Sequence, residues 1–164
     1  PARYTGGLPF ESGAVIAPIA HMFLHGGWLH LGINIGTLMA FGSALEKTVG
    51  GKKLLLLYFA TGVLGAFGHM LVYPQDTVPL VGASGGISGL FGGVLVMARD
   101  RGMMGEGGGG LRMLLPFILI WIVISVFFGV FGMIGESGQI AWVVHIAGFI
   151  AGLLLFRPVD RLKI

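Results

Sequence analysis

Four polar side chains lie in stretches of this sequence that are otherwise apolar: His30, Asn34, Ser84 and His145. Polar groups are costly inside a lipid bilayer, and those that are kept there usually mark a function. A histidine within hydrogen-bond reach of a serine can take the hydroxyl proton as a general base, which makes the oxygen a nucleophile. Ser84 and His145 are therefore candidates for a hydrolytic pair, provided that the fold brings them together.

The residues around Ser84 favour such a role. The segment 82–86 reads Gly-Ala-Ser-Gly-Gly and places the hydroxyl where a loop becomes a helix, with small neighbours that leave it accessible. Amide groups at a helix N-terminus point at such a position and could stabilise an oxyanion. No Asp or Glu lies within any predicted span. The pair would therefore be a dyad, in which packing or other groups orient His145.

His30 and Asn34 are four residues apart, so they lie on one face of a helix. Two interpretations remain open for them: a hydrogen-bonded pair between helices, or a contribution to the serine site. His69 is a weaker candidate, interpreted as a hydrogen-bonding core residue or one that faces water.

The composition indicates the environment of the chain. Of 164 residues, 55% are hydrophobic and 10% are charged, and the mean hydropathy is +0.91. A soluble domain contains about a quarter charged residues, so most of this chain is expected to lie in the lipid bilayer. The ten Lys and Arg residues are scattered in short groups and form no basic face, which argues against nucleic acid as a partner. The absence of cysteine excludes disulfides and thiolate metal sites.

A transmembrane helix needs about 20 mostly apolar residues, and we expect about five in this chain. The prediction is an all-α, polytopic transmembrane bundle in a single domain, residues 1–164. An outer loop with a short helix occupies residues 1–27, and residues 157–164 form a tail. The five predicted spans are residues 28–45, 54–73, 84–98, 111–134 and 139–156. The third is short and begins with small residues, which is typical of a helix that starts partway into the membrane.

The basic residues predict the orientation of the spans. Nine of the ten lie in the links after the first and third spans or in the tail: Lys47, Lys52, Lys53, Arg99, Arg101, Arg112, Arg157, Arg161 and Lys163. Lys and Arg are enriched in cytoplasmic loops. The C-terminus is therefore predicted to be cytoplasmic, and Ser84 is predicted to lie toward the outer side.

Glycine spacing predicts which helices touch. Gly85, Gly89 and Gly93 recur every four residues in the third span, and Gly148 and Gly152 form a matching ridge below His145 in the fifth. Small residues let membrane helices approach closely. If these two ridges pack against each other, Ser84 and His145 meet near the outer ends of their helices.

Four pieces of this sequence together resemble the rhomboid family of intramembrane serine proteases, over residues 10–156. The first is residues 21–30, which read His-Met-Phe-Leu-His-Gly-Gly-Trp-Leu-His, followed by Asn34. The others are Leu-Glu-Lys at 45–47 with Gly50 and Lys53, Gly-Ala-Ser-Gly at 82–85, and His145 with Gly148 and Gly152. The pieces occur in the family's order and on the expected spans, which makes the combined match specific.

This resemblance implies a mechanism and a location. Ser84 would be the nucleophile and His145 the general base, and His30, Asn34 and the Ser84 amide would form the oxyanion site. The protein would cleave a peptide bond in or next to the transmembrane helix of a membrane-protein substrate, through an acyl-enzyme and with no cofactor or metal. It would be a multi-pass protein of a bacterial cell membrane, with the site opening to the outer side.

The sequence departs from the family's pattern in three places. The family core has six helices, and the first has no counterpart here, so either it lies outside this sequence or the protein is a five-span variant. Ile16 and Ala17 stand where a Trp-Arg pair is common. Ser88 replaces an aromatic residue that usually packs on the catalytic histidine, a task that Trp142 could take over.

Three other functions are alternatives to a protease. A catalytically inactive rhomboid-like protein would bind transmembrane helices without cutting them, but such members commonly lack the serine or the histidine. A metal or haem protein could use the five histidines His21, His25, His30, His69 and His145, of which His21 and His25 are four residues apart, yet no cysteine or carboxylate accompanies those two. A channel or carrier would show inverted repeats or charged residues along a path. The substrate and the oligomeric state are not encoded in recognisable motifs.

Overall fold

The computed structural model describes residues 16–75, 79–103 and 142–164, together with helical positions at 115–116, 118–119, 121–123 and 125. Residues 16–20 are helical and lead into a 3-10 helix, His21–Phe23, which agrees with the short entry helix that was predicted. Four long helices follow: α1 (Trp28–Val49), α2 (Gly51–Val72), α3 (Ser84–Asp100) and α4 (Trp142–Asp160). Every regular element in these ranges is helical, so the predicted fold class is confirmed there.

Three of these helices, α1, α2 and α4, are long and apolar enough to cross a membrane. Helix α3 has 17 residues, in keeping with its prediction as a short span. Most of the predicted fourth span (111–134) and the start of the chain (1–15) lie outside the described residues, so the count of five spans stays a prediction.

The helices extend past the predicted spans at the end that carries most of the charges. Helix α1 continues to Val49, α2 begins at Gly51, and α4 continues to Asp160. Hydropathy marks the hydrocarbon core, whereas a helix can continue into the interface, where Lys and Arg are tolerated. At this end of the bundle, the three helices therefore extend three or four residues beyond the predicted spans.

A single residue, Gly50, makes the turn between α1 and α2. Its φ of 86° is in the left-handed region, which glycine adopts at little cost. Its N–H donates to the carbonyl of Glu46 (2.9 Å), and its own carbonyl accepts from the N–H of Leu54 (3.1 Å). Gly50 thus makes the last hydrogen bond of one helix and the first of the next, and this fixes α1 and α2 as neighbours.

Helix α3 is the centre of the bundle, with 11 of its 17 residues buried. A Cβ atom added at Gly148 would overlap the carbonyl of Gly85, and one added at Gly152 would overlap the carbonyl of Gly89. The backbones of α3 and α4 are therefore in direct contact along the two glycine ridges. This is the helix pairing that the glycine spacing predicted.

Helix α2 packs against both α3 and α4 through small residues of its own. A Cβ atom at Gly65 would lie 2.9 Å from the carbonyl oxygen of Val144, and one at Gly68 would lie 2.5 Å from the Cβ of Ala147. On the α3 side, the Thr61 side chain fills the space over Gly89. Because lipid provides no hydrophobic drive between helices, close packing of this kind is what holds a membrane bundle together.

The far end of the bundle carries a group of ion pairs, which we call the charged end. Arg157 of α4 makes two 2.7 Å hydrogen bonds to the carboxylate of Asp100, the last residue of α3. Lys53 of α2 donates to the carbonyl of Asp160 (2.6 Å), and the Asp160 carboxylate lies 3.8 Å from Arg101. These contacts join α2, α3 and α4 at the end opposite Ser84.

Candidate active site

The turn before α3 presents Ser84. Gly82 has a φ of 114° and is followed by Ala83 and then Ser84, the first residue of the helix. The N–H of Gly82 donates to the carbonyl of His21 in the 3-10 helix, at 2.9 Å. A left-handed residue and one hydrogen bond to a neighbouring element therefore fix the turn that carries the hydroxyl.

The structure brings Ser84 and His145 together. His145 lies in the first turn of α4, and its Nε2 atom is 2.7 Å from the Oγ atom of Ser84, although the two residues are 61 positions apart in the chain. At this distance Nε2 can accept the hydroxyl proton, provided that the ring carries its own proton on Nδ1. That Nδ1 atom is buried and has no hydrogen-bond partner within the described residues.

Packing holds the backbone on both sides of His145. The neighbouring Val144 is buried, with its Cγ1 atom against Gly85 of α3 and its carbonyl against Gly65 of α2. Ala147, on the other side, packs on Gly68 of α2. His145 therefore starts from a backbone that α2 and α3 hold in place. That packing also orients its ring, as a dyad would need, stays a prediction.

Aromatic side chains lie below the pair. Phe149, one turn after His145, packs on Phe91 of α3 with ring centroids 5.6 Å apart, and on Trp121 at 4.9 Å. Phe91 also stacks on Phe41 of α1, at 4.9 Å. This cluster closes the bundle beneath the polar pair.

Ser88, where an aromatic residue was expected, is buried within α3, and the described ring contacts do not include one between Trp142 and His145.

His30 is buried beside the same turn, with 8% of its surface exposed. A Cβ atom added at Gly82 would lie 2.9 Å from both Nε2 and Cε1 of His30 and 3.5 Å from the Oγ atom of Ser84. The Nδ1 atom of His30 accepts from the N–H of Gly26, at 3.4 Å. Since an imidazole nitrogen that accepts cannot carry the proton, this contact favours a proton on Nε2, the nitrogen that faces the turn.

Asn34 is placed differently. It is buried one turn after His30, and its amide nitrogen donates to the His30 carbonyl at 2.9 Å. The side chain is therefore engaged with its own helix rather than directed at Ser84. Its predicted part in an oxyanion site stays a prediction, and the second N–H of the same amide group is the donor that it would use.

The remaining histidines do not join the pair. His69 is buried in α2, with its ring centroid 5.3 Å from that of Tyr73. His25 packs edge-on against the ring of His30, at 5.3 Å. Burial lowers the pKa of the His21 imidazole below its ordinary value, more than the hydrogen bond to the Ala17 carbonyl raises it. Among the described residues, no three His, Asp or Glu side chains are arranged to hold a metal ion.

Sequence reasoning did not anticipate the part that the 3-10 helix plays. The sequence marks His21 as part of a family motif and as a possible metal ligand, whereas its backbone carbonyl is what binds the turn before Ser84. Every residue has such a carbonyl, so no residue type or spacing could have marked this contact.

Apolar helices with a serine and a histidine in contact at one end define an integral membrane protein with a candidate hydrolytic site. A family model described as Rhomboid domain matches residues 12–159, and the chain belongs to the rhomboid family. It is 33% identical over 145 residues to RHOMBOID-like protein 5 of Arabidopsis thaliana, which covers 85% of this chain and 44% of that protein. It is 31% identical over 137 residues to the rhomboid protease GlpG of Yersinia pestis (strain Pestoides F), which covers 84% of this chain and 45% of that protein. The matched region is thus less than half of either relative.

Proposed function

We propose that this protein is an intramembrane serine endopeptidase that cleaves a peptide bond in or next to the transmembrane helix of a membrane-protein substrate. The observation that carries the proposal is the 2.7 Å contact between the Ser84 Oγ and His145 Nε2 atoms in a chain of the rhomboid family. Two relatives that cover most of this chain belong to the same family, and one of them is named a protease.

In the proposed reaction, the Ser84 oxygen attacks the substrate carbonyl carbon while His145 Nε2 takes the hydroxyl proton. The C–N bond then breaks as the imidazolium returns that proton to the leaving amine, and the acyl group stays on Ser84 as an ester. A water molecule, deprotonated by His145, attacks the ester in turn. The substrate's new carboxyl end leaves, and the Ser84 hydroxyl is restored.

In this mechanism, two groups are the donors that we propose for the oxyanion. The Ser84 amide belongs to the first turn of α3, where backbone N–H groups have no partner within the helix. The His30 Nε2 atom faces the same turn, and the contact of His30 Nδ1 with Gly26 favours a proton on it. Asn34 would be a third donor through the second N–H of its amide, whose other N–H bonds the His30 carbonyl.

The distribution of charge supports an outward-facing site. Ser84 begins α3 and Asp100 ends it, and the charged end carries Lys53, Arg101 and Arg157. Because Lys and Arg are retained on the cytoplasmic side, we place the charged end and the C-terminus in the cytoplasm. The site then opens to the outer side of what we propose is a bacterial cell membrane, where water is available for hydrolysis.

Covalent labelling by a fluorophosphonate probe tests the proposal without knowledge of the substrate. We expect the native protein to be labelled, and Ser84→Ala and His145→Ala to lose labelling. Ser43→Ala is a matched control, because Ser43 is an exposed α1 serine whose hydroxyl donates to the Ala40 carbonyl of its own helix, and it should label like the native protein. A folded native protein that stays unlabelled would contradict the proposal and favour an inactive, helix-binding member of the family.

A further inference from the structure

The 3-10 helix, His21–Phe23, contacts the turn that carries Ser84 through its backbone. The Gly82 N–H donates to the His21 carbonyl at 2.9 Å, and Gly82 is two residues before Ser84. The position of the Ser84 hydroxyl therefore depends on the position of the 3-10 helix. What holds the 3-10 helix in place then becomes part of the site.

Met22, the middle residue of this helix, is one of the most buried side chains in the described structure, with 1% of its surface exposed. A Cβ atom added at Gly62 of α2 would overlap the Sδ and Cε atoms of Met22, and would lie 3.5 Å from the amide nitrogen of Gly86. Gly86 belongs to the first turn of α3, two residues after Ser84. The end of the Met22 side chain thus fills a niche over Gly62, next to the first turn of the serine helix.

Ordinary core packing would also bury a methionine, because its flexible side chain fills irregular gaps. The location of Met22 distinguishes it from such a residue. The peptide unit that joins His21 to Met22 contains the very carbonyl that binds Gly82. A displacement of Met22 therefore moves the His21 carbonyl, which accepts the hydrogen bond from Gly82. A displacement of about 1 Å in a reacting group can slow catalysis about 100-fold.

We propose that Met22 is a positioning residue for Ser84. Its side chain, packed in the niche over Gly62, fixes the position of the His21 carbonyl. That carbonyl fixes the position of Gly82 through their hydrogen bond, and Gly82 in turn determines the 2.7 Å contact between Ser84 and His145. This inference rests on the proposed function, since it assigns Met22 a role in the reactivity of the same serine.

Four variants test the role of Met22. Met22→Ala empties the niche, and Met22→Leu keeps most of the volume. Gly62→Ala adds a methyl group that displaces the Sδ and Cε atoms at the flexible end of the Met22 side chain. In the double variant Met22→Ala/Gly62→Ala, the new methyl group at position 62 occupies part of the space that Met22 leaves. Met39→Ala is the control, because Met39 lies on α1 with 69% of its surface exposed.

The measurement is the fluorophosphonate labelling of purified protein over a range of probe concentrations. We expect Met22→Ala to lower the limiting labelling rate by about tenfold or more, with little change in the probe concentration for half-saturation. Gly62→Ala should lower the rate less, because the displaced end of the Met22 side chain is flexible. Met22→Leu and Met39→Ala should label almost like the native protein. The double variant should lose less than the product of the two single losses, because the two changes share one space.

A merely structural role predicts a different result. It would reduce the fraction of protein that can be labelled and lower the melting temperature, but leave the labelling rate of the folded fraction unchanged. That result for Met22→Ala would overturn the inference. If Met22→Ala does not fold, Gly62→Ala decides, and a native labelling rate there would overturn it equally.

Failure of the proposed function would be visible separately. A folded native protein without any labelling would contradict the serine site itself, and the inference about Met22 with it. Amide hydrogen exchange of residues 79–86 gives a second readout that needs no reactive serine. Met22→Ala should speed exchange there and Met39→Ala should not, and unchanged exchange in Met22→Ala would overturn the link between Met22 and the turn.

Discussion

The two ends of this bundle are held together by different chemistry. At the charged end, Arg157 and Asp100 form an ion pair with two hydrogen bonds, and the backbone carbonyl of Asp160 accepts a hydrogen bond from Lys53. The other end, which we call the serine end, contains Ser84, His145 and the turn at Gly82, and its links are neutral. There the contacts are one hydroxyl–imidazole bond and one backbone hydrogen bond to the 3-10 helix.

The difference lies in how completely the polar atoms are satisfied. Each carboxylate of the charged end faces at least one cation of another helix. At the serine end, the His145 Nδ1 and His21 Nε2 atoms are buried without a hydrogen-bond partner in the described structure. We infer that changes at the serine end affect reactivity strongly, whereas changes at the charged end affect it little.

The largest effect among the following variants is expected from His30→Ala. Loss of an oxyanion donor typically slows acyl transfer by about 10²–10³-fold. Asn34→Ala should cost less, because its amide donates to its own helix rather than toward Ser84. Labelling rates of the two variants provide the measurement. A larger loss for Asn34→Ala would mean that its amide turns toward the site when the serine reacts.

An intermediate effect is expected from Gly152→Ala, between the two ends. The added methyl group would overlap the Gly89 carbonyl, which belongs to a backbone that cannot move aside. Overpacking of this kind costs about 1–3 kcal/mol, and separation of α3 from α4 should also lengthen the contact between Ser84 and His145. Thermal unfolding in detergent and labelling rate together measure this. Gly36→Ala is the control, since a Cβ atom there meets nothing within 4 Å.

The smallest effect is expected from Asp100→Asn at the charged end. Its hydrogen bonds to Arg157 lower the pKa of the Asp100 carboxyl. A carboxyl whose pKa is lower in the folded state contributes stability above its unfolded pKa and loses that contribution as the pH falls through the folded pKa. Asp100→Asn should therefore slightly lower the thermal stability near neutral pH, with an unchanged labelling rate.

The pH dependence sharpens that test. The stability difference between the native protein and Asp100→Asn should shrink as the pH falls and the carboxyl is protonated. A difference that persists in acid would mean that the variant acts through packing rather than through the ion pair. A reduced labelling rate at neutral pH would contradict the claim that the two ends are separable.

The parts of the fold that depend on residue size could be predicted from the sequence. Gly85 and Gly89 match Gly148 and Gly152 in spacing, and the contact between these ridges follows because only glycine permits it. The meeting of Ser84 and His145 was predicted from the same ridges. Hydropathy also located α1, α2 and α4. The helices extend past the predicted spans at the charged end, because hydropathy marks the lipid core rather than the last hydrogen-bonded turn.

Features that depend on shape or on the backbone could not be predicted. The His21 carbonyl binds Gly82 through a group that all residues share, and the niche over Gly62 exists only once the 3-10 helix packs on α2. The hydrogen bond from the Asn34 amide to the His30 carbonyl is a further example, because the spacing of the two residues predicts only that they share a helix face.

Cleavage of a transmembrane substrate tests the central claim most directly. The purified protein would be reconstituted in liposomes with a panel of single-span proteins that carry small residues near the outer end of their helix, and the products would be identified by mass spectrometry. We predict cleavage in or next to the transmembrane helix by the native protein and by Ser43→Ala, and none by Ser84→Ala or His145→Ala. Cleavage that persists in Ser84→Ala would contradict the account, because the hydroxyl that Nε2 of His145 contacts would then not be the nucleophile.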